Sequence, residues 1–370
     1  MLIALNLLYL IPGVVGGTET YARSLINALA EQDQENEYAV FLSKEAADLD
    51  VTPGPNFRRI VCPVVAMRRA MRYGWEQGIL PLQLLREKPD LVHSLGYVSP
   101  LAARCPQVVT VHDVNYLGHK GRRTAIGRRA FRFFVEQTVR RADRVITVSG
   151  FSKSEIVKHM NVPADKVTVV HSAGREAGDA PAQRASETEV VRNIGRPYIM
   201  AFSSLSAHKN IPRLISAFSK ISSSVPHALV LVGHLPEKTA ARSQMQSAVD
   251  ERVIFTGYIP DSDVESLMHG ASLFAFPSLY EGFGLPVLDA QHAGVPVACS
   301  SAGALPEVAG EGALLFDPFS VDDMAHALKR CLMDMDLRNT LVADGYDNAR
   351  QFSWVRTARE TLDVYSAVAT

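Results

Sequence analysis

Cysteine is scarce in this chain. The four residues at positions 62, 105, 299 and 331 share no metal-ligand or dithiol spacing, which excludes a cysteine-held metal and a disulfide scaffold and fits a reduced, cytoplasmic compartment. No run reaches the ~18 apolar residues that a membrane-spanning helix requires. The opening MLIALNLLYLIPG has no basic leader and runs straight into a glycine turn, so it reads as a first buried strand and not as a secretion signal. The G-x-G-x-x-G fingerprint is missing as well, which argues against a nicotinamide cofactor. A net charge of -1 leaves no overall polycation for nucleic acid to bind.

The near neutrality conceals an asymmetry. Residues 1 to 185 hold 24 Lys and Arg against 18 Asp and Glu, and the remainder is acidic to a similar degree. Much of the basic excess lies in HKGRRTAIGRRAFRFFVEQTVRRADR (119 to 144), whose arginines flank Phe131, Phe133, Phe134 and Val135. Two readings stay open for it: a helix with a core stripe and a solvated basic face, or a peripheral contact with an anionic membrane at the inner face.

What is present is an alternation of short apolar strands with helical patterns. IALNLLYL, YAVFLS, DLVHSL, VVTVHD, RVITVS and VTVV occupy the first half. After the polar segment 175 to 189 come YIMAF, ALVLVG, VIFTG, LFAFPS, VPVACS and ALLFD. Each half predicts its own parallel, doubly wound α/β sheet, with a first domain over 1 to 180, a second over 190 to 350 and a closing helical segment over 351 to 370. Ligands of such sheets collect beyond the carboxyl ends of the strands, and a cleft between the two domains is the expected site.

Five strand ends carry the chemistry. In LYEGFGLPVLDA (279 to 290), Gly282 and Gly284 let the backbone approach a ligand, and Pro286 in the first turn forfeits an N–H that no helical partner needs. The free N–H groups of that helix start form an anion site, with Glu281 just outside it and Asp289 about four residues, roughly 6 Å, along the axis. Carboxylates repel phosphate, so both acids suit neutral hydroxyls on either side of a diphosphate: a sugar before it and a ribose after it. In YIMAFSSLSAHKNIPRLISAF, Ser204, His208 and Lys209 lie between a strand and a helix with the stripe Ile211, Leu214, Ile215 and Phe218. Lys209 suits a diphosphate as a point charge. In the first half, Gly16 and Gly17 precede a helix whose stripe is Ala22, Leu25, Ile26 and Leu29. VTVHDV, taken as the end of the fourth strand, places His112 and Asp113 at the cleft. His112 would meet a substrate through its ring or its carbonyl, and the sequence does not choose. His93 and Asp113 are assigned to the acceptor side. VIFTGYIPDSDVESL holds a D-x-D at Asp261 and Asp263, but Ser262 and Glu265 fit a capping box, so these acids are read as helix-start residues and no metal site is expected. Tyr258 and Ile259 would wall a nucleotide base.

Taken together, GGTETYARSL, TVHDVNYL, RRADRVITVSGFSKSEI, the AHKN loop, TGYIPDSD, SLYEGFGLPVLDA and SSAGALPEVAGEGALLFDP resemble the retaining glycosyltransferases of family 4, with the mannosyltransferases as the subgroup most similar. The resemblance implies the GT-B fold, two facing Rossmann-like domains, and a closing helix over 352 to 368 that returns to the first domain. It implies that Glu281 binds donor-sugar hydroxyls, that Phe283, Gly284 and Leu285 offer N–H groups to the phosphates, and that Asp289 holds the ribose. It further implies that Lys209 meets the diphosphate, that Gly16 and Gly17 form the first-domain glycine loop, and that His112 lies beside the anomeric carbon. Two positions depart from the family pattern. Asp289 is one methylene shorter than the usual Glu, and Ser204 replaces an arginine, so that His208 supplies part of the missing donor set and makes phosphate affinity pH dependent. The implied activity is metal-independent, retaining transfer of a hexose from GDP-mannose or a UDP-hexose to the hydroxyl of a glycan or lipid-linked acceptor, with no cofactor. A sugar-nucleotide epimerase and a non-catalytic nucleotide-sugar-binding protein are the alternatives.

Overall fold

The computed structural model describes residues 1–51, 53–117, 125–175, 189–204, 206–233 and 251–369. The first six residues of the basic stretch, 119 to 124, and most of the polar segment, 176 to 188, lie outside the described residues. The chain forms two compact units, one of Met1–Ser172 with Phe352–Thr370 and the other of Ala173–Gln351. The boundary therefore falls at Ser172, earlier than the expected end of the first domain at 180, and the closing segment belongs to unit 1.

Unit 1 is built on strands β1 (Leu2–Leu7), β2 (Glu37–Leu42), β3 (Phe57–Val61), β4 (Leu91–Ser94), β5 (Gln107–Thr110), β6 (Arg144–Thr147) and β7 (Val167–Val169), all parallel in the order β3-β2-β1-β4-β5-β6-β7. The order reverses between β1 and β4, the switch point where doubly wound sheets take ligands. Central strands are buried along nearly their whole length because helices cover both faces. Its helices are α1 (Gly17–Gln32), α2 (Arg69–Gly78), α3 (Leu80–Glu87), α4 (Ala125–Arg141) and α5 (Gly150–Met160), with the closing helix added from the end of the chain. The expected stripe of α1, Ala22, Leu25, Ile26 and Leu29, is fully buried. Its three large side chains contribute roughly 5 to 9 kcal/mol of gross burial.

One strand escaped the sequence reading. FRRIV forms β3 at the sheet edge, where Arg58, Arg59 and Val61 are exposed and only Phe57 is buried. An edge strand needs one apolar anchor and gains protection from charge, so it leaves no hydrophobic run to find. VTVHDV consequently follows the fifth strand and not the fourth. In α4, Phe131 and Val135 enter the core with Val139, whereas Phe133 stands 53% exposed among the arginines. Among the described residues no helix is long and apolar enough to cross a membrane.

Unit 2 carries β8 (Tyr198–Phe202), β9 (Ala228–Val232), β10 (Val253–Gly257), β11 (Leu273–Phe276), β12 (Val297–Ser300) and β13 (Ala313–Phe316), parallel in the order β10-β9-β8-β11-β12-β13, with its switch between β8 and β11. Its described helices are α6 (Glu189–Ile194), α7 (Ile211–Ile221), α8 (Asp261–Gly270), α9 (Leu285–His292), α10 (Leu305–Ala309), α11 (Val321–Met333) and α12 (Met335–Ala349). The stripe Ile211, Leu214, Ile215 and Phe218 of α7 packs with α11 on one face of the sheet, and α8 and α9 cover the other. The expected capping box at Ser262 and Glu265 does not form. Pro260 is the N-cap of α8, its side chain caps nothing, and Ser262 lies inside the first turn. Helix α13 (Trp354–Ala369) is the closing helix and packs on α1 in unit 1.

Candidate functional site

In unit 2 the sequence turns a strand into a helix within a few residues. β11 ends at Phe276, Gly284 takes a positive φ of 118° as the N-cap of α9, and Pro286 occupies the first turn. A side chain at Gly284 would meet Leu305 Cδ2 at 2.6 Å, so the close approach as well as the φ demands glycine. The first amides of α9 have no intrahelical acceptor, and the helix dipole adds to their positive potential.

Two further loops hold this turn. His208 accepts the Leu279 N–H through its carbonyl at 2.7 Å, and Ala304 donates its N–H to the Glu281 carbonyl at 3.1 Å. Gly303 lies so close that a Cβ there would sit 2.7 Å from the Glu281 oxygen and 2.9 Å from its nitrogen. Between these clamps the Lys209 ammonium donates to Glu281 Oε1 at 2.6 Å and lies 4.9 Å from the centre of the Phe276 ring. Both partners are only partly exposed, at 23% and 16% of their side chains. Asn210, in the left-handed region at φ 58°, donates to the carbonyls of Pro277 and Pro318 and so fixes the Lys209 turn to the ends of β11 and β13. Ser204 accepts from the Ser206 N–H at 3.2 Å. The expected unit 2 residues Ser204, His208, Lys209, Glu281, Gly282, Phe283, Gly284 and Leu285 thus lie on two segments, at the carboxyl ends of β8 and β11, with the loop after β12 clamped against the second.

Asp289 faces a different neighbour. Its Oδ1 accepts the backbone N–H of Arg175 at 2.7 Å, and burial raises its pKa to about 6, with the Arg175 N–H and charge opposing that rise. The Arg175 guanidinium donates in turn to Asp261 Oδ2 at 3.0 Å. A cavity of about 420 Å³ opens beside this trio, walled by Phe202, Val264 and Met268. Neither Arg175 nor the cavity was legible in the sequence, because Arg175 is remote in sequence from the acids it meets. Of the expected base wall, Tyr258 is 68% exposed, and Ile259 packs into the unit's hydrophobic core with 9% of its surface exposed.

In unit 1, Gly16 takes φ 60° as the N-cap of α1, with open space where a Cβ would be. Gly17 is the first residue of that helix, and Glu19 of the first turn accepts the Gly13 N–H at 2.8 Å. His112 follows β5 and is nearly buried. Its Nε2 lies 3.2 Å from the Leu95 carbonyl, an acceptor only, so Nε2 carries the hydrogen and Nδ1 is the acceptor. Burial lowers its pKa to about 4, which keeps the ring neutral at physiological pH. Edge contacts with Tyr21 and Tyr97, at 4.7 and 5.6 Å between ring centres, fix its plane. The His112 carbonyl accepts from the Ser152 hydroxyl at 2.9 Å. Asp113 accepts the Asn115 N–H at 2.9 Å in a tight turn. His93 corrects an expectation. It is wholly buried, with Nδ1 2.6 Å from the Tyr365 hydroxyl and Nε2 2.8 Å from Thr110 Oγ1, so it ties α13 to the sheet and presents nothing to an acceptor.

Comparison with known proteins fits this geometry. The family described as Glycosyltransferase Family 4 matches residues 15–173, and that described as Glycosyl transferases group 1 matches residues 183–348. The O-antigen chain mannosyltransferase B of Escherichia coli is 30% identical over 230 residues, 60% of this chain and 60% of its own length. The serotype-specific mannosyltransferase WbdA, also of Escherichia coli, is 28% identical over 301 residues, 75% of this chain and 37% of its own length. The chain thus spans 60% and 37% of the lengths of these two relatives. The Anabaena HepE structure in complex with UDP and glucose superposes with a TM-score of 0.75 at 20% identity, covering 99% of this chain and 100% of that one. The loops, the glycine turns and these matches agree: the chain belongs to the family 4 glycosyltransferases.

Proposed function

We propose that the chain transfers a hexose, mannose in the first instance, from a nucleoside-diphosphate sugar to an acceptor hydroxyl in glycan synthesis, with retention of anomeric configuration. The observation that carries this reading is the Lys209–Glu281 pair at the start of α9. It puts a fixed cation and a hydroxyl-accepting carboxylate beside a helix start. A departing diphosphate gathers negative charge, and preorganised donors aimed at it are the main source of rate. Lys209 and the α9 amides are such donors, so the reaction needs no divalent metal. Glu281, held by Lys209, suits a sugar hydroxyl better than a covalent role. Front-face attack, with the leaving phosphate taking the acceptor proton, is therefore the mechanism we assign.

Acceptor recognition is assigned to unit 1, where Asp113 lies beyond β5, and His112 contacts the transferred sugar in its neutral form. The mannosyltransferase names of the relatives support mannose as the sugar, and an O-antigen-like glycan or lipid-linked acceptor follows from the same names. The basic face of α4, with Phe133 exposed, supports peripheral contact with an anionic membrane at the cytoplasmic face. The test is turnover of GDP-mannose and of UDP-glucose with and without mannose-terminated acceptors, in the presence of EDTA. Product that appears only with acceptor, keeps the donor's anomeric configuration and survives EDTA is the expected result. Acceptor-independent release of nucleotide would support the epimerase reading instead.

A further inference from the structure

Unit 1 buries a charged pair that no step above uses. Arg72 and Glu76 lie one turn apart on α2, so their side chains share a face, and only 10% and 2% of those side chains are exposed. Arg72 Nε and Glu76 Oε2 approach to 3.6 Å, too far for a hydrogen bond, and both atoms are buried without a hydrogen-bond partner among the described residues. An ion pair is costly to bury unless hydrogen bonds complete it, and each of these groups lacks one.

The place of the pair in the sheet points to a ligand. Gln77 fixes the end of α2 to the loop after β4, donating to the Ser99 carbonyl at 3.1 Å and accepting the Leu101 N–H at 3.0 Å. Asn6, near the end of β1, donates at 3.1 Å to the hydroxyl of Ser94, the last residue of β4, so these two mark where the strand order reverses. The Asn6 amide also acts on the Glu76 carboxyl, which sets the pair at the switch point of this sheet. Burial raises the pKa of the Tyr9 phenol and the Arg72 charge opposes that rise, so the guanidinium also lies near the start of α1, where Tyr9 donates to the Thr18 carbonyl at 3.0 Å.

The charges decide what can bind. Among the described residues Glu76 faces one charge, that of Arg72. Glu19 of α1 faces Tyr9 and is itself paired with Arg23 at 3.6 Å. With Glu76 ionised the pair is neutral, and an anion on the guanidinium would be opposed by the carboxylate beside it. A hydroxyl can accept from Arg72 and donate to Glu76 at once. Two adjacent hydroxyls match both the planar fork and the two carboxylate oxygens. We propose that Arg72 and Glu76 form an acceptor subsite that holds a vicinal diol of a neutral sugar. The proposal deepens the assignment of acceptor recognition to unit 1 and rests on it. Burial raises the Glu76 carboxyl to about 7 against the Arg72 charge and the Asn6 amide, so the ionised form that accepts from a diol is gained as pH rises through neutrality.

Steady-state kinetics of the whole chain with saturating GDP-mannose and a mannose-terminated oligosaccharide, at pH 6 to 8, tests this. A carboxyl of pKa about 7 goes from about one tenth to about nine tenths ionised over that range, so the acceptor KM is expected to be about tenfold lower at pH 8 than at pH 6. Glu76→Gln keeps the shape and is expected to raise the acceptor KM about tenfold at pH 8 and to remove its pH dependence, while GDP affinity is unchanged. Arg72→Lys keeps the charge but loses the fork and is expected to raise the acceptor KM as well. An unchanged melting temperature shows that each variant is folded. An acceptor KM that neither substitution moves reduces the pair to a structural role, and one that falls with acid assigns Arg72 to an anionic acceptor group; either result overturns the proposal alone. If the wild-type chain transfers to no mannose-terminated acceptor, the mannosyl-transfer reading falls and this proposal with it.

Discussion

Lys209 and Glu281, 72 residues apart in sequence, form a 2.6 Å ion pair that joins the loop after β8 to the turn before α9. A partly exposed pair of this kind stabilises a fold by about 1 kcal/mol or less. Lys209→Ala is therefore expected to leave the melting temperature within a few degrees of wild type while kcat falls by about 10² to 10³, the usual effect of deleting one donor to a developing anion. Steady-state kinetics with the preferred donor, paired with thermal denaturation, checks both halves. A variant that loses stability and activity in proportion would reduce the pair to a structural brace.

Asp289 and pH form the second case. Its pKa is raised to about 6 by burial, so the folded state takes up a proton before the unfolded state does as pH falls. The associated stability is fully present below about pH 4 and is lost as pH rises through 6. Asp289→Asn, which keeps an oxygen for the Arg175 N–H, is expected to be at least as stable as wild type above pH 6. Ribose binding runs the other way, because the ionised carboxylate accepts hydroxyl hydrogens best. Affinity for a sugar nucleotide should weaken between pH 7 and 5 and lose that dependence in Asp289→Asn. Isothermal titration at several pH values reads the result.

Unit 1 should respond to acid in the opposite sense. Burial depresses the pKa of His93 to about 3 and of His112 to about 4, against an ordinary value near 6.5. Their contribution is present above pH 6.5 and is lost as pH falls towards 4. Tyr365→Phe leaves one nitrogen of the buried His93 without its partner and is expected to cost about 1 to 3 kcal/mol. Denaturant unfolding at pH 7 and pH 5, followed by the fluorescence of Trp354 on α13, measures both effects.

Two glycines separate conformational strain from contact. Gly16 and Gly303 have similar φ, 60° and 69°, but a Cβ at Gly16 meets open space whereas one at Gly303 meets the Glu281 backbone. Gly16→Ala is expected to cost about 1 kcal/mol through backbone strain alone. Gly303→Ala must displace the turn that carries Glu281, so its loss of kcat should far exceed its loss of stability. An unchanged kcat in Gly303→Ala would show that the clamp on Glu281 does not matter to turnover.

The amino-acid sequence by itself determined the alternation of twelve apolar strands with amphipathic helices, and hence two doubly wound sheets, because apolar periodicity reports what a parallel sheet covered on both faces must bury. It also determined the strand-to-helix turns at Gly16, Lys209 and Glu281, where glycine, proline and isolated charges have few other uses. Only the tertiary structure decided that Ile259 and His93 are interior residues, that FRRIV is a strand, that Pro260 and not Ser262 begins α8, and that Arg175 reaches Asp289 and Asp261 beside a cavity. Local pattern fixes which face of an element is apolar. Which distant side chains meet at its polar end depends on loop contacts between residues tens of positions apart, and no local periodicity encodes those.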